Sequence, residues 1–445
     1  MTERDHREKH MAVMTERWAA VLIRTGPNKE KKNIFWNMAG SFCYAFASMV
    51  LSFLVMRLAG EDDGGIFSFG YSTFGQQMFI LAYFGMRPFQ ITDGGQEYRF
   101  GDYVHHRYVT CGVALAAGIS YLLLSGYTAR KAAVLFLLVC YKVADGFADV
   151  YESEFQRNGN LHLTGKSNTF RTILSVGTFL AALVGSGSLL AACGAAVGAQ
   201  AAGILLFDVV ILKRLEGVDY AWNKDRIGAL TCETSLLFVS VFLDFYIFSA
   251  AKYAIDAYMN DAASGYFNII FMPTSVINLA AGFVIRPVLT SLTDMWNEKR
   301  FGDFSKKLLG ISRIIGALSI LALVLAAGLG RPVLWVLEQI LGSGYEGKLT
   351  GSHVPFILIV MGGACYGLLN LHYYALVIMR RQKAIFGIYL VLTGLAAVMA
   401  PVFVKRGGIL GAAAVYLILM FVMAAGFVGW TWAGIANAGR SRRGR

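Results

Sequence analysis

Apolar residues run through this chain in long blocks separated by short polar segments. A block must hold about 17–25 residues to cross a hydrocarbon core ~30 Å thick. Twelve reach that length: 34–58, 65–87, 105–126, 130–151, 170–187, 190–212, 227–250, 263–285, 308–329, 354–379, 384–404 and 409–433. They are read as helices, because a backbone in lipid must satisfy its own hydrogen bonds. Blocks 170–187 and 190–212 are parted only by Gly185-Ser186-Gly187-Ser188, so they are the pair most open to merging. A further stretch, Val333–Leu341, is too short to span and is expected at the interface.

Composition turns this pattern into a class. Apolar residues make up 56% of the 445, charged residues 15%, and mean hydropathy is +0.54. A soluble domain carries about 25% charge, so too few charges remain to cover a water-exposed surface. The chain is read as a polytopic membrane protein. Residues 1–33 are polar, with no apolar core of a signal peptide, and Met1, Met11 and Met14 are alternative starts. The six cysteines stand singly in apolar runs, without CxxC spacing, and are read as packing residues, not as metal ligands.

The net charge of +12 is read through topology, not nucleic-acid binding. With the N-terminus in the cytoplasm, the inside segments collect thirty Lys and Arg and the outside segments eight. Arg107 and Arg171 count among the inside charges. Both termini are therefore expected in the cytoplasm. Glu152 and Glu154, near the cytoplasmic end of the fourth block, are read as solvated.

The chain also matches itself. Phe100-Gly101-Asp102-Tyr103 recurs as Phe301-Gly302-Asp303-Phe304 at an offset of 201, and Gly65-Ile66-Phe67 as Gly265-Tyr266-Phe267 at 200. The matches sit on one membrane side, which predicts a parallel repeat of six spans plus six. The expected domains are a cytoplasmic tail (1–33), an N-lobe (34–212), a cytoplasmic linker (213–226), a C-lobe (227–433) and a basic cytoplasmic tail (434–445). Two-lobed helical repeats place a transport site between their halves.

Several segments carry a resemblance: Asn33-Ile34-Phe35-Trp36-Asn37, Arg57-Leu58-Ala59-Gly60, Tyr83-Phe84-Gly85-Met86-Arg87 and Gln156-Arg157-Asn158-Gly159. With the twelve-span pattern, the chain resembles the polysaccharide transporters, or lipid-linked oligosaccharide flippases, of the multidrug/oligosaccharidyl-lipid/polysaccharide (MOP) superfamily. That resemblance implies an all-α integral membrane fold of 12 helices in two lobes around a central cavity. It also implies rocking of the lobes that moves a lipid-linked sugar outward.

A cavity should appear as polar stripes at ~100° per residue. Span one offers Asn37, Ser41, Ser48 and Ser52; span two Ser72, Gln76, Tyr83 and Arg87; span eight Asn268, Ser275, Asn278, Gly282 and Arg286; span ten Tyr366, Asn370 and Tyr373. Small polar residues also serve plain helix packing. Span four puts Lys142, Asp145, Asp149 and Glu152 on one face, with Lys142 about 15 Å deep. A charge there faces a cavity or a partner. Lys142 is either a cation for a carrier pyrophosphate or half of an internal pair with Asp145 or Asp149. Candidate substrate residues are thus Arg87, Lys142, Arg286, Asn37, Gln76, Asn278 and Asn370. Candidate ion-coupling residues are Asp145, Asp149, Glu233 and Asp244.

Walker A, HExxH and dinucleotide-binding glycine patterns are absent, so no cofactor and no enzyme chemistry is expected. The leading expectation is an alternating-access flippase for an undecaprenyl-pyrophosphate type oligosaccharide in a bacterial cytoplasmic membrane. Its partners would be the lipid-linked glycan, membrane lipids, H+ or Na+ as coupling ion, and neighbouring glycosyltransferases. Two alternatives stand beside it, a cation-coupled multidrug (MATE-like) exporter and a membrane-embedded sugar transferase or polymerase. Residues 34–58 hold no acid to attract a cationic drug, and short outside loops argue against the enzyme.

Overall fold

The computed structural model describes residues 18, 20, 22–24, 28–93, 97–215 and 218–443. The alternative starts Met1, Met11 and Met14 and the end of the basic tail lie outside these residues. The described elements are helical throughout. The first is α1 (Lys29–Ala59). A rod in three pieces follows, α2 (Glu61–Phe69), a π-helical turn (Gly70–Phe74) and α3 (Gly75–Tyr83), and then α4 (Met86–Thr92). Next come α5 (Phe100–Leu124), α6 (Ala129–Arg157), α7 (Leu161–Ser186) and α8 (Leu189–Ile204). A second π turn (Leu205–Val209) leads into the single-turn α9 (Val210–Leu212). The remainder is α10 (Lys224–Tyr258), α11 (Asp261–Ile285), α12 (Leu289–Asn297), α13 (Phe301–Leu341), α14 (His353–Ile378) and α15 (Gln382–Arg443).

Nine helical stretches among the described residues are long and apolar enough to cross a membrane. The three expected blocks outside that count differ for physical reasons. Block 65–87 is cut by the π turn and then by Phe84 and Gly85, both left-handed. Block 130–151 is unbroken helix, but Lys142, Asp145 and Asp149 make it too charged to count as apolar. Blocks 384–404 and 409–433 are two helical arms that meet without a loop at Gly408, whose φ of 53° and ψ of −134° are not helical, so the stretch Gln382–Arg443 counts once among the nine. The questioned pair is two helices. Gly187 ends α7 in the left-handed region, and the Ser188 side chain accepts from the Ala191 amide to start α8. Val333–Leu341 is not a separate interfacial piece; it forms the last turns of α13, which continues through Pro332.

The chain forms two compact units, one from residues 1–59 and 70–241, the other from 60–69 and 242–445. In the first, α6 is the hub, packing against α3, α4, α5, α7 and α8. The α1–α7 pair closes tightly because Gly40 and Gly165 meet. A Cβ on Gly165 would lie 2.0 Å from the Trp36 carbonyl oxygen, so only glycine permits this approach. At one end an apolar cluster joins Met86, Tyr98, Tyr103, Val150, Phe155 and Leu230. Tyr98 there donates to Glu233 at 3.2 Å, and burial, then that carboxylate, push its hydroxyl up to about 12.

In the second unit α14 is the hub, packing against α11, α13 and α15. The short α2 lies on α11, and the repeated glycine explains why: a Cβ on Gly65 would stand 1.7 Å from the Asp261 carbonyl oxygen. Lys348 (2.5 Å) and Tyr266 both donate to Glu61 at the start of α2. These two bonds, Lys348 first, hold the Glu61 carboxyl below its usual range. The other repeated motif opens a helix in each half. Arg99-Phe100-Gly101-Asp102 starts α5 and Arg300-Phe301-Gly302-Asp303 starts α13, with an acid in each first turn.

Candidate functional site

The polar interior of the first unit is built around one face of α6. Arg171 on α7 reaches three carboxylates at once: Glu152 at 2.7 Å, Asp208 at 2.9 Å and Asp145 at 3.3 Å. Arg87 donates to Asp149 at 2.8 Å, to Glu152 at 3.2 Å and to Gln156 at 3.2 Å. Arg107 bonds Asp149 at 3.3 Å and the Ala82 carbonyl at 2.9 Å. Gln200 donates to Asp145 at 3.1 Å. Lys142 donates a hydrogen bond to the Tyr44 hydroxyl at 2.9 Å and sits 3.8 Å from the centre of the Tyr71 ring, while Tyr44 donates to Asp145 at 2.8 Å. Three arginines (Arg87, Arg107, Arg171) thus meet four carboxylates (Asp145, Asp149, Glu152, Asp208), and Lys142 joins them through Tyr44, so four cations face four anions. The network is formally neutral and almost wholly buried.

This geometry revises several expectations. Glu152 and Glu154 are not solvated: each is 5% exposed, and Glu154 is bonded by Gln90 and Arg157. Lys142 forms no ion pair with Asp145 or Asp149 among the described residues, because the Tyr44 hydroxyl stands between it and Asp145. Arg107 and Arg171 are not loop charges but buried network members, 1% and 3% exposed. The stripe expected on span two is not one helical face, since the π turn shifts its register and Arg87 lies beyond the Phe84–Gly85 break. Asn37 on α1 and Gln76 on α3 are half-buried.

Sequence reasoning missed Arg171, Arg107, Asp208, Tyr44 and Gln200. Asp208 gave a usable signal, as an isolated acid in an apolar block that must find a cation. Tyr44 and Gln200 gave none, because neutral polar residues are ordinary in such helices.

The second unit handles charge differently. On α10, Asp244 accepts from Tyr366 at 2.8 Å through Oδ2, and its Oδ1 is buried without a hydrogen-bond partner among the described residues. Glu233, the other candidate coupling acid on α10, lies eleven residues earlier, in the first unit, where it accepts from Tyr98. Along α11 the stripe holds: Ser275 and Asn278 are exposed on the helix, and Arg286, exposed too, caps its C-terminal end and opens a 3-10 turn. Asn370 on α14 donates to Asn278 at 2.6 Å. Arg286 has no ion pair and its side chain no hydrogen bond among the described residues. Helical side chains lean toward the N-terminus, and its Nε lies 3.9 Å from where a Cβ on Gly282 would sit. The guanidinium therefore lies along the stripe.

No protein-family model matches the chain, and no curated protein matches it. Solved structures do. An inward-facing multidrug resistance MATE family transporter of the MOP superfamily aligns with a TM-score of 0.65 at 12% identity, covering 93% of this chain and 99% of that one. The lipid II flippase MurJ in an inward closed conformation gives 0.64 at 11%, covering 91% and 90%. A mutant of the Vibrio cholerae MATE transporter VcmN gives 0.57 at 14%, covering 96% and 98%. The chain therefore shares the fold of these solved transporters, and nine helical stretches among its described residues are long and apolar enough to cross a membrane. This fold is common to drug exporters and a lipid flippase.

The two cation environments predict different mutational outcomes. Removing one partner of a buried ionic network costs about 3–5 kcal/mol, so Arg171→Gln should sharply lower the yield and thermal midpoint of folded protein in detergent. Arg171→Lys should not restore it, because one ammonium cannot bridge three carboxylates. Arg286→Gln should leave the midpoint unchanged. Equal midpoints for Arg171→Gln and wild type would show that the network does not hold the first unit together.

Proposed function

We propose that the chain is a flippase that carries a lipid-linked oligosaccharide of the undecaprenyl-pyrophosphate type across a bacterial cytoplasmic membrane by alternating access. The observation that carries this reading is Arg286, an exposed cation with no neutralising partner among the described residues, at one end of the polar stripe of α11. A pyrophosphate headgroup cannot enter a low-dielectric core unless cations accompany it. An arginine already neutralised by carboxylates, as Arg87 is, offers an anion far less. Asn278 and Asn370 add neutral hydrogen-bonding groups beside the stripe, suited to sugar hydroxyls. Asn37, Gln76 and Lys142, the other candidate substrate residues, lie in the first unit, where the buried Lys142 ammonium already donates to Tyr44.

In this reading the α2–α3 rod, α6 and each arm of α15 also cross the membrane. That makes twelve spans, in lobes 34–212 and 227–433, with both termini cytoplasmic and glycosyltransferases supplying the cargo. A second reading has its own support. The buried, unpartnered Oδ1 of Asp244 amid tyrosines suits a monovalent cation or proton, as a cation-coupled multidrug exporter requires. Of the four candidate coupling acids, Asp145 and Asp149 are occupied by arginines and Glu233 accepts from Tyr98, so Asp244 is the one we assign to H+ or Na+.

Reconstituted vesicles separate the readings. The flippase reading expects movement of a fluorescent undecaprenyl-pyrophosphate sugar between leaflets, slowed about ten- to hundredfold by Arg286→Gln, and no efflux of cationic dyes. Dye efflux abolished by Asp244→Asn, with lipid movement at background, would establish the exporter instead. Orientation is read in cells with a cysteine-free background. A single cysteine at Asp62 should react with an impermeant maleimide, and one at Arg300 should stay protected until the membrane is opened. The reverse pattern would overturn the topology.

A further inference from the structure

We infer that Lys252, held by Asn268, is a second anion station for the headgroup, at the far end of α11 from Arg286. This rests on the reading of the cargo as an anionic lipid. Lys252 lies on α10, six residues before its end at Tyr258, and Asn268 lies seven residues into α11. The turn at Met259–Asn260 brings the two helices together, so both residues sit about 10 Å below that turn. The Lys252 ammonium donates to the Asn268 Oδ1 at 3.0 Å and stands 4.2 Å over the Phe271 ring. A lysine has three donors and no acceptor. Two donors of Lys252 therefore have no protein acceptor among the described residues. The only acid within two turns of it on α10, Asp256, is not within ion-pair distance, and Asp244 is eight residues away.

An ammonium in the membrane interior without a counter-ion is costly and marks an ion or substrate path. Lys142 in the first unit differs, since a carboxylate stands just behind its hydroxyl partner. Lys252 has an amide and an aromatic face, which hold a cation in place without cancelling its charge.

Its position relative to Arg286 gives the station a purpose. Asn268 and Arg286 are eighteen residues apart, five helical turns, so they share one azimuth of α11 about 27 Å apart. That distance is close to the thickness of a hydrocarbon core. Ser275, Asn278 and Gly282 lie on the same face between them. The α10–α11 pair thus flanks a polar track with a cation at each end, Lys252 on α10 and Arg286 past the end of α11, neither in an ion pair among the described residues; the track is exposed at Ser275, Asn278 and Arg286 and closed over at Asn268. In the proposed orientation Arg286 meets the headgroup at the cytoplasmic leaflet and Lys252 receives it near the outer one. The ligand class is a phosphate-type oxyanion.

The test uses the full chain in vesicles, with the fluorescent undecaprenyl-pyrophosphate sugar as probe. Lys252→Gln should slow translocation about ten- to hundredfold, the effect of losing a charge-assisted contact, with an unchanged thermal midpoint. Lys252→Arg should retain most of the rate. A wild-type measurement covers the case of a variant that does not fold: acylation of Lys252 by an amine-reactive reagent, read by mass spectrometry, should slow when the probe is bound. Wild-type rates for Lys252→Met, or acylation indifferent to the probe, would refute the station and leave the flippase reading standing. Wild-type vesicles that fail to move the probe would refute that reading, and the station with it.

Discussion

An ionised side chain inside a bilayer needs a counter-charge or a use, and this constraint organises the first unit. Helix α6 brings Lys142, Asp145, Asp149 and Glu152 into a setting where each unpaired charge would be prohibitive. The surrounding helices are arranged so that Arg87, Arg107 and Arg171 reach those acids, while Asp208 completes the shell of Arg171. Glycines at 40 and 165 let α1 close on α7, which places Tyr44 between Lys142 and Asp145. Such a network gives little net stability over an apolar core of the same shape, but it fixes the helices against one another, since any partner lost leaves a stranded charge. The first unit is therefore read as a rigid body.

The second unit leaves its charges apart. Asp244 is met only by tyrosine hydroxyls, Lys252 by an amide and a ring, and Arg286 by no side-chain partner among the described residues. Unspent charge is what a carrier needs, because a ligand can then supply the missing partner. The fold shared with both drug exporters and a lipid flippase admits either use. Cations at the two ends of the α11 stripe, Lys252 on α10 and Arg286 past its end, are what favour the proposed anionic cargo.

What could be read beforehand follows from how local each property is. Apolar blocks are local, so the helices emerged with the correct break at Gly187–Ser188. The stripe on α11 was legible because that helix keeps one register from Asn268 to Gly282 and Arg286 caps its end. The stripe on span two was not, because a π turn at Gly70–Phe74 and a left-handed Phe84 leave no plain mark in composition. Counting Lys and Arg near block edges as loop charges misplaced Arg107 and Arg171, since their partners lie far along the chain: Asp149 and Asp208 are 42 and 37 residues away. Glu233 and Asp244 share a helix, yet α10 passes from one unit to the other between them.

The central claim is that the cargo is an anion handled by the second unit's α10–α11 pair, not by the ionic network of the first. Photocrosslinking tests it most directly, with a polyprenyl pyrophosphate bearing a photoreactive group next to the phosphates and adducts mapped by mass spectrometry. The account predicts adducts in peptides containing Lys252, Asn278 and Arg286, competed by unlabelled polyprenyl pyrophosphate. Competed adducts confined to α6 and α7, around Lys142 and Arg171, would contradict it.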